Sequence, residues 1–122
     1  MKLKLVSLLG ALAIILGAFG AHSLVKVLTE AELASFRTGV LYHLVHAVYL
    51  IGLVVLSKSL DIKWPYYLAF GGVVLFSGSI YLLALDRVMG VDLGFLWPIT
   101  PLGGLLLITS WLWLFKVAKT SN

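Results

Sequence analysis

The side chains best suited to chemistry in this 122-residue sequence are its three histidines, His22, His43 and His46. His43 and His46 are three residues apart, so a helix would place both imidazoles on one face, between Gly39 and Leu50. Two imidazoles at that spacing can ligate one metal ion, and His22 could supply a third nitrogen. The same rings can instead stay neutral and hydrogen-bond to neighbouring hydroxyl or carbonyl groups, which would hold helices together.

Motifs of the common catalytic sites are missing from the sequence. It contains no cysteine, which excludes disulfides and thiolate chemistry. It also has no nucleophile–base pair, glycine-rich phosphate loop, acidic dyad or HExxH motif. We therefore expect no enzyme, no cofactor and no bound metal, and we favour the structural role for the histidines.

The composition is that of a membrane protein, with 61% hydrophobic residues, only 11% charged residues and a mean hydropathy of +1.10. Because soluble domains carry about 25% charged residues, an ordinary water-soluble fold is excluded. Four stretches lack Asp, Glu, Lys and Arg, and a helix of about 20 such residues crosses a hydrocarbon core. We predict an all-α integral membrane protein, a bundle of four transmembrane helices forming a single domain. The domain is residues 1–122, and its spans are residues 5–25, 38–57, 64–85 and 93–115.

Basic residues are distributed unequally between the two sides of the membrane that these spans define. The two chain ends and the second connector carry six lysines, whereas the first and third connectors carry three basic residues. Because basic residues are retained on the cytoplasmic side, we predict that both termini are cytoplasmic. The expected location is the cell membrane (cytoplasmic or inner), crossed several times. The net charge of +4 then reflects orientation, and no nucleic-acid partner is expected.

The first span and the connectors carry further signals. Lys2 and Lys4 precede an apolar run in the manner of a signal peptide, but the run continues to Val25, so we expect a retained helix. The segment from Thr29 to Glu32 is typical of the start of a small surface helix, since a threonine cap is followed by acidic residues. An ion pair such as Arg37 with Asp86 could form at the outer face, although snorkelling of these side chains towards the headgroups is favoured.

The predicted topology places the polar side chains of the four spans at a similar depth, in the outer half of the bilayer. Span two runs inwards from residue 38, so His46 would lie about 12 Å below its start, and His22 lies in the outer third of span one. An unpaired imidazole or hydroxyl in hydrocarbon costs about 1–3 kcal/mol, so these groups should turn inwards and pair. The predicted polar cluster, also a candidate binding site, consists of His22, Tyr42, His43, His46, Ser77, Ser79 and Tyr81.

Glycines recur at helical spacing within the spans. Small residues let helix backbones approach closely, and packing of this kind is a main source of cohesion between helices in lipid. We predict that they form packing seams and that a face left over promotes self-association into a homo-oligomer. The predicted packing residues are Gly17, Gly20, Gly39, Gly78, Gly103 and Gly104.

The chain resembles one known family through four ordered strings, one in each span. They are Gly17-Ala18-Phe19-Gly20-Ala21-His22, Thr38-Gly39 with Tyr42 and His46, Leu75-Phe76-Ser77-Gly78-Ser79-Ile80-Tyr81, and Thr100-Pro101-Leu102-Gly103-Gly104. Together they are similar to the small membrane proteins of the domain-of-unknown-function 423 family, bacterial relatives of transmembrane protein 256. The resemblance covers essentially the whole chain and implies several membrane helices with no established activity. His43 stands where the family commonly has Gln, so the resemblance implies no three-histidine metal site.

Three functions are compatible with these observations. The first is an oligomeric structural or assembly protein of the lipid bilayer, whose polar layer specifies helix register, and this is the one we favour. The second is an oligomeric transporter or channel for a small polar or proton-linked solute, because four helices of one copy enclose little space. The third is a metal- or haem-binding membrane protein. The sequence does not identify a small-molecule ligand or the number of copies.

Overall fold

The computed structural model describes residues 1–120, and in this range the chain forms four long helices in alternating directions. Each helix is long and apolar enough to cross a membrane, which confirms the predicted all-α class with four membrane helices. Residues 121 and 122 of the predicted domain lie outside the described residues. The helices are α1 (Lys2–His22), α2 (Glu30–Leu56), α3 (Lys63–Met89) and α4 (Ile99–Thr120).

Helix α2 begins two turns before the predicted span because of a capping box. The Thr29 hydroxyl accepts a hydrogen bond from the backbone N–H of Glu32 (3.2 Å), and the Glu32 carboxylate accepts one from the N–H of Thr29 (2.8 Å). This arrangement satisfies N–H groups that have no partner within the helix. The expectation of a separate surface helix was wrong, since these residues form the first turn of α2 itself.

Helix α4 begins at Ile99, later than the predicted start at residue 93. Residues 94–96 form a 3-10 turn, Pro98 directly precedes the helix, and Pro101 lies in its first turn, where a missing N–H costs no helical hydrogen bond. Helix α3 ends at Met89 and is capped by Gly90, whose positive φ of 68° is accessible to glycine without a steric penalty. Helix α1 ends at His22, before the predicted residue 25, and a 3-10 turn follows it.

The helices pack mainly as the sequential pairs α1–α2, α2–α3 and α3–α4. We call the end of the bundle that holds residue 1, connector 57–62 and the end of α4 the termini end, and the other end the loop end. A hydrophobic cluster that includes Val6, Leu50 and Leu53 occupies the termini end, and a second cluster with Phe36 and Ala84 occupies the loop end. Polar side chains lie between these two clusters.

Candidate functional site

The first group of polar side chains joins the middles of α2 and α3. The Nδ1 of His43 and the hydroxyl oxygen of Tyr81 are 3.0 Å apart, and the hydroxyl of Ser77 donates to the carbonyl of Gly39 (2.7 Å). His43 and Ser77 are almost fully buried. The Nε2 atom of His43 is also buried but has no hydrogen-bond partner among the described residues. This group therefore ties two helices together and leaves one polar atom unpaired.

The second group joins α2 to α4 and is centred on His46. Its Nδ1 lies 2.8 Å from the carbonyl of Tyr42, and its Nε2 accepts a hydrogen bond from the indole N–H of Trp111 (3.3 Å). Because Nε2 acts as the acceptor, Nδ1 carries the proton and donates to the carbonyl. The ring of Tyr42 stacks over His46 with a centroid separation of 6.1 Å. His46 is thus a neutral imidazole with both nitrogens engaged.

A buried hydroxyl relay continues this second group towards the termini end. The Ser110 hydroxyl donates to the carbonyl of Pro65 (2.6 Å) and lies 3.1 Å from the hydroxyl oxygen of Tyr49. One serine on α4 therefore contacts both α3 and α2. Sequence reasoning missed Tyr49, Ser110 and Trp111; the signal was that Tyr49 follows His46 by three residues on the same helix face.

The third polar contact lies nearer the loop end, between α3 and α4. The hydroxyl oxygens of Ser79 and Thr100 are 2.6 Å apart, and Ser79 also contacts the carbonyl of Phe76 (3.0 Å). Ser79 is 4% exposed, so this contact takes place away from lipid. The predicted residues thus form three separate sets of contacts instead of one connected cluster.

His22 does not join any of these sets, which corrects the expectation that it shares a layer with His46. It is the last residue of α1 and is exposed, next to a shallow cavity of about 330 Å³ with Phe19 and Ser23. His46, in contrast, lies about 24 Å along α2 from its first residue. The error came from equating the charge-free stretch with the helix. Within residues 1–120 no group of three potential ligand side chains is close enough to hold a metal.

The glycines differ in how closely a neighbouring helix approaches them. A Cβ built on Gly103 would overlap the backbone of Phe76, and one on Gly72 would lie 2.6 Å from the Leu107 side chain. A Cβ on Gly78 would meet nothing within 4 Å. At the other predicted positions the neighbours would be Val40 for Gly17 (3.2 Å), Phe36 for Gly20 (3.1 Å), Ile80 and Tyr81 for Gly39 (3.0 Å) and Phe76 for Gly104 (3.6 Å).

An ion pair connects two helices at the loop end. The Arg87 guanidinium donates to both carboxylate oxygens of Glu32, each at 2.7 Å, and also to the carbonyl of Val27 (2.9 Å). This bidentate geometry is the arrangement in which arginine binds a carboxylate most specifically. The pair differs from the suggested one between Arg37 and Asp86, because the capping box brings Glu32 into the helix beside α3.

The chain is similar to one family of bacterial membrane proteins. The profile of a family described as "Protein of unknown function (DUF423)" matches residues 16–104. The UPF0382 membrane protein SH2409 of Staphylococcus haemolyticus is 41% identical, covering 92% of this chain and 93% of its own. YwdK of Bacillus subtilis is 38% identical (95% and 97%), and the inner membrane protein YgdD of Escherichia coli is 37% identical (84% and 76%). No solved structure matches the chain.

The names of these relatives agree with the four membrane-length helices. All three are called membrane or inner membrane proteins of bacteria. This chain is accordingly a multi-pass protein of the cell membrane, as its composition predicted.

Proposed function

This chain belongs to the DUF423 family, and we propose that it is a structural membrane protein that assembles from several copies. Its polar side chains set the register between helices, and an open cleft between α1 and α3 receives a second copy. The proposal assigns it no catalytic activity and places both chain ends in the cytoplasm.

The observation that carries this proposal is the use of the polar side chains between helices. Ser77 bonds α3 to α2, Ser79 bonds α3 to α4, and Ser110 bonds α4 to α3. Such bonds contribute about 0.6–2 kcal/mol each within membranes. Groups committed to neighbouring helices favour a structural role over a solute pathway, which would require groups free to bind a passing solute.

Self-association is supported by the cleft between α1 and α3, which we call the α1–α3 cleft. It has a volume of about 200 Å³ and is lined by Leu9, Leu12 and Leu16 of α1 and by Gly78 of α3. Gly78 is the predicted packing residue with the most free space, since nothing lies within 4 Å of its added Cβ. Close contact with a glycine strengthens helix pairing in lipid, so a side chain from a second copy would fit this cleft.

Two matched glycine substitutions test assembly without disturbing the fold of one copy. Gly78→Leu fills the α1–α3 cleft, whereas Gly52→Leu adds the same side chain at an exposed position where an added Cβ also meets nothing within 4 Å. We expect native mass spectrometry from lipid nanodiscs to show an oligomer for the wild type and Gly52→Leu, and single copies for Gly78→Leu. A monomeric wild type, or an intact Gly78→Leu oligomer, would contradict the proposed assembly surface.

Orientation can be tested with single cysteines, because the natural chain has none. Ser59 lies in the connector at the termini end and Val91 in a connector at the loop end, and both are exposed. A membrane-impermeant maleimide should label Val91→Cys in intact cells and Ser59→Cys only after permeabilisation. The reverse labelling pattern would place both chain ends outside and would overturn this part of the proposal.

A further inference from the structure

Helices α2 and α4 diverge towards the loop end and leave a groove whose floor is α3. The larger of its two cavities, about 590 Å³, lies between Glu32 and Ser35 of α2, Ile80 of α3, and Trp97 and Thr100 of α4. We call this cavity, together with a second one further from the loop end, the α2–α4 groove. Its volume is within the range of about 300–1,000 Å³ that is usual for ligand pockets.

The second cavity, about 330 Å³, lies further along the same helix faces. Tyr42 and His46 form its α2 side, Gly104 and Trp111 its α4 side, and Phe76 its floor. Tyr42 follows Ser35 by two helical turns and Gly104 follows Thr100 by about one, so the two cavities lie in line along the groove.

Aromatic packing closes the groove at the end that faces the termini end of the bundle. The rings of Tyr49 and Trp111 stack with centroids 4.0 Å apart, and Tyr49 also reaches Ser110. The walls therefore converge towards the middle of the bundle and separate towards the loop end. A whole helix lying inside the groove would need about 400 Å³ for every turn, unlike the single side chain that would enter the α1–α3 cleft, so a wedge of this shape accommodates a thinner molecule.

Polarity also changes along the groove. The Glu32 carboxylate and the Ser35 and Thr100 hydroxyls lie in the wide part, whereas leucine, isoleucine and aromatic side chains dominate the narrow part. Arg87 does not line the groove itself but binds the Glu32 carboxylate through Nε and Nη2, and its Nη1 makes no hydrogen bond within residues 1–120. A negative group at the mouth of the groove and a positive group bound beside it thus lie above an apolar channel.

We propose that the α2–α4 groove binds one phospholipid with a zwitterionic headgroup. Its acyl chain fills the narrow part, its phosphate meets the Nη1 of Arg87, and its ammonium group meets Glu32. A groove beside the bilayer would otherwise leave its lining atoms without contact partners, which forfeits dispersion energy. Charge complementarity favours a zwitterion, because the ion pair offers a positive group to the phosphate and a negative group to the ammonium. This site is independent of the assembly proposed at the α1–α3 cleft.

The acyl-chain part of the site can be tested by filling the narrow cavity. An added Cβ at Gly104 would make ordinary contacts of 3.6–3.7 Å with the Phe76 ring, so Gly104→Leu extends into the groove without displacing backbone. Gly52→Leu is the matched control at an open position outside the groove. With palmitoyl-oleoyl phosphatidylethanolamine as the probe, native mass spectrometry should show one retained lipid per wild-type chain. We expect retention about tenfold weaker for Gly104→Leu and unchanged for Gly52→Leu.

The headgroup part of the site needs a second comparison. Arg87→Gln should weaken retention of phosphatidylethanolamine, whereas Arg37→Gln, another exposed arginine at the loop end, should not. The wild type should retain phosphatidylethanolamine in preference to phosphatidylglycerol, and circular dichroism would establish that each variant is folded. Equal lipid retention by Gly104→Leu and Gly52→Leu would overturn the proposal. So would a loss of oligomers in Gly104→Leu with its bound lipid intact, because a second copy would then occupy the groove.

Discussion

Glycines line both the α3–α4 interface and the α1–α3 cleft. Atoms of a second helix lie close to the glycines at the interface, whereas the glycine in the cleft has no such neighbour. At the α3–α4 interface, Gly103 lies against the backbone of Phe76 and Gly72 against Leu107. In the cleft, Gly78 has no neighbour within reach of an added Cβ. Gly72 and Gly78 belong to one helix but point in different directions around its axis. A glycine in a membrane helix therefore marks close packing only where a second helix faces it.

The largest effect should come from closing the space at the tight interface. Gly103→Ala forces the α3 and α4 backbones apart, because its methyl group would overlap backbone atoms of Phe76 that cannot rotate away. We expect a loss of about 2 kcal/mol in the free energy of unfolding, measured by steric trapping in bicelles. Stability equal to that of the wild type would show that α3 and α4 lie further apart than the contact between Gly103 and Phe76 requires.

A smaller effect is expected from the hydroxyl relay beside the same interface. Ser110→Ala removes the donor to Pro65 and leaves the buried hydroxyl of Tyr49 with a weaker partner, which should cost about 1–2 kcal/mol. The neighbouring Thr109→Ala is the control, because Thr109 is exposed and bonds only within its own helix. Equal unfolding free energies for the two variants would contradict a role for the relay in stability.

The histidines allow a smaller effect to be measured, the energetic coupling between pairs of side chains. A double-mutant cycle of His43→Ala with Tyr81→Phe should give a coupling energy above about 0.5 kcal/mol, because the two side chains are in hydrogen-bonding contact. His22→Ala and His46→Ala should be additive to within about 0.5 kcal/mol, since the structure separates them. Strong coupling between His22 and His46 would restore the single cluster expected from the sequence.

The smallest effect should occur at the open glycine. Gly78→Ala adds a methyl group that meets no protein atom, so the unfolding free energy should stay within about 0.5 kcal/mol of the wild type. The measurement should use single copies in bicelles, so that assembly does not contribute. A loss above about 1 kcal/mol would mean that the cleft closes around Gly78 in the membrane.

Several features of the candidate site were predictable and others were not. The helix spacing of Gly39, His43 and His46 correctly indicated that polar residues lie on the buried face of α2. The partners of these residues were not predictable, since Trp111 is 65 positions away from His46 in the sequence. Which of two equally apolar helix faces turns towards a neighbour depends on the packing of all four helices. The roles proposed for these residues in assembly and lipid binding stay predictions.

The sequence by itself determined the class of the molecule and its four membrane helices, because a charge-free stretch long enough to span hydrocarbon is a local property. It also carried the capping signal at Thr29, which depends on residues within one turn. Only the tertiary structure decided that His22 stands apart, that Gly78 is open while Gly103 is closed, and that Ser110 bridges three helices. The physical reason is that the rotation of each helix and its partners are set by contacts between distant segments. In lipid those contacts are packing and hydrogen bonds, which the apolar pattern of one helix does not specify.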